Sequence, residues 1–224
     1  MPQIDPSAPL GERPVLYTCP QSRGFRVSWA AAELDIGLDY RILPFPPRRA
    51  APWYLEVNPL GTVPALVHEG YVMTESSAIA HYLATRWGPS TLAVAPDEPD
   101  YGAYLDYLHH ADATITFPQT VYLRFAKMEP DRGLQGAGTA YAGWYAKRLV
   151  KAQARLKMRD YLCADRFTIA DIVIAYALHL SSLIELDHLV PDSLKVYRAR
   201  MTARPGFAAA VEAERRAALH PVAG

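Results

Sequence analysis

The sequence predicts an α/β domain followed by an all-α domain, on three observations. Short apolar runs bounded by turn residues occur only ahead of Thr74, and they are interleaved with segments of helical period, as in an α/β unit. A stretch at 88–99 then carries three prolines and few apolar anchors. Beyond it only helical periodicity recurs. These observations place one domain at 13–87, a linker at 88–99 and an all-helical domain at 100–224.

Taken in order, Val15-Leu16-Tyr17 follows Pro14 and precedes the turn-forming Thr18-Cys19-Pro20, which fits a buried strand. From Ser22 the apolar residues Phe25, Val27, Trp29, Ala30, Ala32 and Leu34 fit a covered helix that Gly37 would stop. Tyr40 to Pro44 reads as a second strand. The prolines at 44, 46, 47, 52 and 59 exclude a long helix and leave a loop with a short helical segment at Trp53-Tyr54-Leu55. Ala65–His68 and Tyr71–Met73 read as a hairpin turning at Gly70, and the run from Glu75 to Trp87 as a helix. In the second half, helices are predicted over Tyr101–Phe125, Gly136–Leu162, Thr168–Ile184, Asp192–Thr202 and Phe207–Ala218.

Composition narrows the function classes. With 224 residues, half of them hydrophobic and 21% charged, the chain can bury a core, which excludes wholesale disorder and collagen-like structure. The 23 Lys and Arg balance 23 Asp and Glu, so neither nucleic acid nor an anionic membrane is an expected partner. Cys19 and Cys163 lie far apart with no spacing suited to zinc, and no metal is expected; reduced thiols point to a cytoplasmic location. Met1 to Glu12, with no basic start and no apolar run, reads as a short disordered leader.

Three blocks carry chemistry: Leu16-Tyr17-Thr18-Cys19-Pro20-Gln21-Ser22-Arg23-Gly24-Phe25-Arg26-Val27; Asn58-Pro59-Leu60-Gly61-Thr62-Val63-Pro64-Ala65-Leu66 with Glu75-Ser76; and Asp165-Arg166-Phe167-Thr168-Ile169-Ala170-Asp171. Their order and spacing resemble the cytosolic glutathione S-transferase superfamily over nearly the whole chain. The resemblance implies a thioredoxin-like N-terminal domain, an all-helical C-terminal domain and a homodimer. It also implies glutathione as co-substrate, with a small hydrophobic electrophile as second substrate.

The residues admit physical readings beside those the resemblance implies. A cis Val63-Pro64 bond would present the Val63 backbone to an extended tripeptide; a trans proline at a strand start is the plain alternative. Ser76 can cap the helix, where unpaired N–H groups favour a carboxylate. The resemblance has Glu75 taking the γ-glutamyl ammonium and Ser76 its carboxylate. Thr168 to Asp171 reads as a structural capping box, with Phe167 able to staple onto Ile172 and Ala164 standing where the family usually has Gly.

The resemblance places Cys19 where many transferases have the Ser or Tyr that hydrogen-bonds the glutathione sulfur. A thiol donates poorly, but near a helix N-terminus its pKa falls and it becomes a nucleophile. Cys19-Pro20 resembles omega-class transferases, and Cys19-Pro20-Gln21-Ser22 the CPxS pattern of monothiol glutaredoxins. Ser22 is the competing sulfur activator, or a cap. Tyr17 and Cys163 read as core.

Tyr107, His110, Thr114 and Phe117 form one stripe of the first C-terminal helix, and Tyr101, Leu105, Leu108 and Ile115 another. The first is an electrophile pocket if it faces the cleft, and otherwise helix packing; Arg48 and Arg49 could reach the glycyl carboxylate. The reading is conjugation of glutathione to an electrophile. Its alternatives are a Cys19-dependent thiol–disulfide oxidoreductase and a non-catalytic binding module.

Overall fold

The computed structural model describes residues 13–87 and 90–219. The leader read at 1–12 and linker residues 88 and 89 lie outside the described residues. The described residues divide into two compact units: one holds those up to Ser90 together with those from Arg204 to Leu219, and the other runs from Thr91 to Ala203.

The first unit begins β1 (Val15–Thr18), α1 (Phe25–Glu33) and β2 (Asp39–Ile42), then α2 (Pro47–Ala50) and a 3-10 turn at Pro52–Glu56. β3 (Ala65–His68), β4 (Tyr71–Met73) and α3 (Ser76–Arg86) follow. The sheet order is β2-β1-β3-β4, with β1 parallel to β2 and the other pairs antiparallel. The hairpin turns on Glu69 and Gly70 together, at φ 49° and 74°, the two left-handed positions that a tight hairpin requires.

Successive strand residues point to opposite faces, and this divides the core in two. Leu16 and Leu66 meet Val27 and Ala31 of α1 and Ile79 and Leu83 of α3. On the other face Cys19 and Ala65 pack with Leu43, Ala51 and Tyr54, and Tyr17 joins them half-buried. Cys19 is thus a core residue.

The second unit contains α4 (Tyr101–His110), α5 (Phe117–Tyr122), α6 (Gln135–Arg148), α7 (Val150–Arg155), α8 (Ile169–Leu183) and α9 (Asp192–Thr202). The single helix expected over Tyr101–Phe125 is interrupted by π-helical turns at Ala111–Thr116 and Leu123–Met128. Pro118 has no N–H to give the Thr114 carbonyl, and separately the Thr116 hydroxyl donates to the Ala111 carbonyl five residues back at 2.8 Å; both favour the wider turn.

The last helix, α10 (Pro205–Ala218), was expected in the helical domain but belongs to the first unit. Arg204 forms a two-pronged ion pair with Glu33 of α1, both contacts at 2.8 Å, and Phe207 packs edge-on against Phe25 and Trp29. Gly206 permits this approach: a Cβ there would lie 2.5 Å from the Glu33 carboxyl carbon. Among the described residues no helix is long and apolar enough to cross a membrane.

The capping box at Thr168 is present in both directions. Asp171, fully buried, accepts the Thr168 N–H at 2.9 Å, the Thr168 hydroxyl at 3.1 Å, the Leu162 N–H at 3.0 Å and the Tyr197 hydroxyl at 2.7 Å. Ala164 takes the left-handed conformation, φ 54°, that the family's Gly would supply. Replacing Asp171 by Ala orphans several buried donors at once. Asp171→Ala is expected to lower stability by about 2–4 kcal/mol in denaturant unfolding; an unchanged midpoint would refute this role.

Candidate functional site

The strand registers gather the sequence-predicted residues of the first unit at one end of its sheet. β1 pairs Leu16 with Leu66 and Tyr17 with Ala65, so the same register carried past Thr18 sets Cys19 opposite Val63. β3 pairs Leu66 with Met73, so Val63 and Pro64 just before β3 and Glu75 and Ser76 just after β4 lie at this same end of the sheet. The C-terminal ends of the parallel strands β1 and β2 lie at this end too, the usual place for a ligand in an α/β sheet.

The Val63–Pro64 bond is cis. Among the described residues neither the N–H nor the C=O of Val63 has a hydrogen-bond partner. The preceding peptide is held firmly, since the Thr62 carbonyl accepts the Tyr54 hydroxyl at 2.7 Å and the Asn58 side-chain amide at 2.8 Å. Tyr54 and Asn58 are both buried. An unpaired donor and acceptor on a fixed peptide can take an extended ligand as a strand takes its neighbour.

At α3, Glu75 is the N-cap residue and exposed; Ser76, expected as the cap, is the first helical residue and buried. The Ser76 hydroxyl accepts from Nη1 of Arg26 at 3.0 Å, and that of Ser77 at 3.4 Å. Arg26, fully buried, sets a guanidinium behind the start of a helix whose first N–H groups already favour an anion. This suits a carboxylate at Ser76, with exposed Glu75 placed for an ammonium. The sequence reading missed Arg26, and a signal existed: it stands between Phe25, Val27 and Trp29 in a helix apolar on nearly every side.

Cys19 departs from expectation. α1 starts at Phe25 with Gly24 as N-cap, so the thiol is not at a helix N-terminus. Its Sγ lies 3.7 Å from the Pro44 carbonyl oxygen, and burial, with the Glu214 charge adding to it, pushes its pKa up to about 12 rather than down. Ser22 is half-buried; its Oγ accepts the Gly24 N–H at 3.3 Å and lies 3.2 Å from the Thr18 hydroxyl. The Thr18 hydroxyl donates to the Cys19 carbonyl at 3.1 Å, so the Ser22 hydroxyl is the donor to Thr18 Oγ1 and would have to turn from it to reach a ligand.

In the second unit Tyr107 is buried, its hydroxyl donating to the Lys151 carbonyl at 3.4 Å, so its ring belongs to that unit's interior. His110 meets the Tyr107 ring edge-on at 6.1 Å and is half-buried, as is Thr114. The π turn from Ala111 spends an extra residue between them, so the stripe drawn at regular helical spacing is broken. Phe117, of the same stripe, is exposed, as are Arg48 and Arg49 on α2, and Cys163 is buried. Among the described residues no group of three or more metal-ligating side chains is assembled.

Because the thiolate is the reactive form, alkylation of Cys19 by iodoacetamide should be slow near neutrality. It should rise about tenfold per pH unit up to about pH 10 with no plateau. Mass spectrometry of the labelled peptide reads this directly, and fast labelling with a midpoint below about pH 8 would contradict the buried, neutral thiol.

The family model described as Glutathione S-transferase, N-terminal domain, matches residues 18–86. Glutathione S-transferase 3 of Schizosaccharomyces pombe is 30% identical over 101 residues, 45% of this chain and 42% of that protein. Glutathione S-transferase 1 of the same organism is 32% identical over 155 residues, 66% of each. The chain thus spans 42% and 66% of the lengths of these two relatives. Among solved structures, the ternary complex of BphK, a bacterial GST, shares the fold at a TM-score of 0.77 and 24% identity, over 90% of this chain and 99% of that one. Family model, relatives and shared fold agree, and the chain belongs to the glutathione S-transferase superfamily.

Proposed function

We propose that this protein is a glutathione transferase: it binds glutathione at the sheet end described above and joins its sulfur to a small hydrophobic electrophile. The observation that carries the reading is the unpaired Val63 backbone beside Pro64, at the same end as Glu75 and Ser76. A tripeptide with a carboxylate and an ammonium at its γ-glutamyl end and an amide backbone in its middle matches these groups one for one. Relatives named glutathione S-transferase support it, as does a sphingomonad glutathione S-transferase of the same fold complexed with glutathione.

Ser22 is assigned the sulfur. Its hydroxyl would donate to the thiolate as the thiol proton leaves to solvent; the sulfur then forms a bond to the electrophile and the leaving group departs with its electron pair. A hydroxyl is a better donor than a neutral thiol, and Cys19 is buried on the opposite face of β1 with a raised pKa. That weighs against Cys19 as nucleophile in disulfide reduction. The electrophile is assigned to His110 and Thr114, which are half-buried, rather than to the interior Tyr107.

Calorimetry with glutathione tests the binding reading. Ser76→Ala should weaken affinity by about 1–3 kcal/mol, and Glu75→Ala should weaken it as well. Unchanged affinity in both folded variants, or no heat from the parent protein at millimolar glutathione, would sink the assignment. With a chlorinated aromatic electrophile, Ser22→Ala should cost about a hundredfold in kcat while Cys19→Ser stays near the parent. The reverse order would move the sulfur to Cys19. A homodimer is proposed from the family, and sedimentation should give twice the chain mass; a monomer across a wide concentration range refutes it.

A further inference from the structure

Two carboxylates are buried among the described residues, Asp171 and Glu214. Asp171 is taken up by the start of α8. Glu214, on α10, reaches the loop between β1 and α1: its Oε2 accepts the Gln21 N–H at 3.0 Å, and its Oε1 the Ser28 hydroxyl at 2.8 Å.

Gln21 is in the left-handed region, φ 60°, and the Ser22 N–H returns to the Cys19 carbonyl at 3.1 Å. Pro20 and Gln21 are therefore the central pair of a reverse turn with proline first and a left-handed residue second. Glycine or asparagine ordinarily fills that second position, because a longer side chain crowds its own backbone there. A hydrogen bond to the N–H of the crowded residue offsets that cost. The same turn delivers Ser22, whose Oγ faces Thr18 and the Gly24 N–H.

We propose that Glu214 is a positioning residue for the sulfur-activating loop: from the C-terminal helix it holds Gln21 left-handed and so sets where the Ser22 hydroxyl points. Its catalytic consequence rests on the glutathione reading above, while its hold on the loop does not. The titratable groups facing it are Cys19 from the end of β1 and Tyr40 from β2, both with pKa values raised by burial. Burial also pushes the Glu214 carboxyl up to about 7, against the bonds from Gln21 and Ser28, so measurements above neutrality read its ionised form.

The test compares the full chain with Glu214→Met, Glu214→Gln and the double variant Glu214→Met/Gln21→Gly at about pH 8. Methionine preserves volume and leaves no buried charge, and Ser28 retains the Gly24 carbonyl as an acceptor at 3.5 Å. In Glu214→Met, exchange protection of the Gln21 amide should fall about tenfold while that of α8 is unchanged. Glutathione affinity by calorimetry should stay within about twofold, and kcat should fall about tenfold. Glycine at 21 adopts the turn unaided, so the double variant should recover most of kcat. Glu214→Gln, which keeps an acceptor in place, should keep the protection.

Unchanged Gln21 protection in Glu214→Met, or a loss of kcat that glycine at 21 does not restore, overturns the proposal. If Glu214→Met does not fold, Glu214→Gln decides: retained Gln21 protection upholds the hold and its loss overturns it. If the parent protein binds no glutathione, the transferase reading fails, and the exchange measurements still judge Glu214.

Discussion

The alternation of side chains along β1 is the constraint on which the site depends. Val15 to Thr18 is central in the sheet, paired on both sides, so its register cannot slip without exposing Leu16. That register sends Leu16 under α1 and α3, and Tyr17 and Cys19 to the face covered by Tyr54. Thr18, between them, meets the Ser22 hydroxyl instead. A thiol and a hydroxyl three residues apart therefore end in different surroundings, one in apolar packing and the other at a half-open turn. Parity along one strand separates a packing residue from a chemical one.

Buried ionisable groups tie this frame together at points far apart in the chain. Arg26 joins α1 to the start of α3, Asp171 joins the start of α8 to Tyr197 on α9, and Glu214 joins α10 to the loop before α1. A charge removed from water is tolerable when donors or acceptors replace its hydration, and each of these groups has such partners. Their cost explains their placement: each stands where a helix terminus or turn would otherwise leave backbone or side-chain polar groups unpaired. The first unit thus needs the last described helix of the chain to complete its own loop.

The chemistry proposed follows from donor quality. Lowering the pKa of a bound thiol requires a group that stays protonated while it donates to the thiolate, and a hydroxyl does so across the whole physiological range. A buried neutral thiol gives a weak hydrogen bond and, with its pKa at about 12, little thiolate of its own. The Cys-Pro dipeptide, read by itself, suggests the second role; burial removes it.

Much of this was legible in the chain, because the signals were local. Proline spacing, the hairpin at Gly70, the capping box at Thr168 and the block around Val63-Pro64 each act over a few residues, and each is found where the sequence reading set it. Glu214 was not legible, since in α10 it stands between Glu212 and Arg215, which are paired with each other at the surface. Nor was the break in the helix after Tyr101, or the fate of Cys19, whose surroundings come from Leu43, Ala51 and Tyr54. The sequence determined the order of strands and helical regions and the residue types available at the sheet end, because periodicity, turn chemistry and capping are short-range. The helix read over Gly136–Leu162 is instead α6 and α7, ending at Arg155. Tertiary structure alone decided which of those residues are buried, because burial depends on segments brought together from distant parts of the chain.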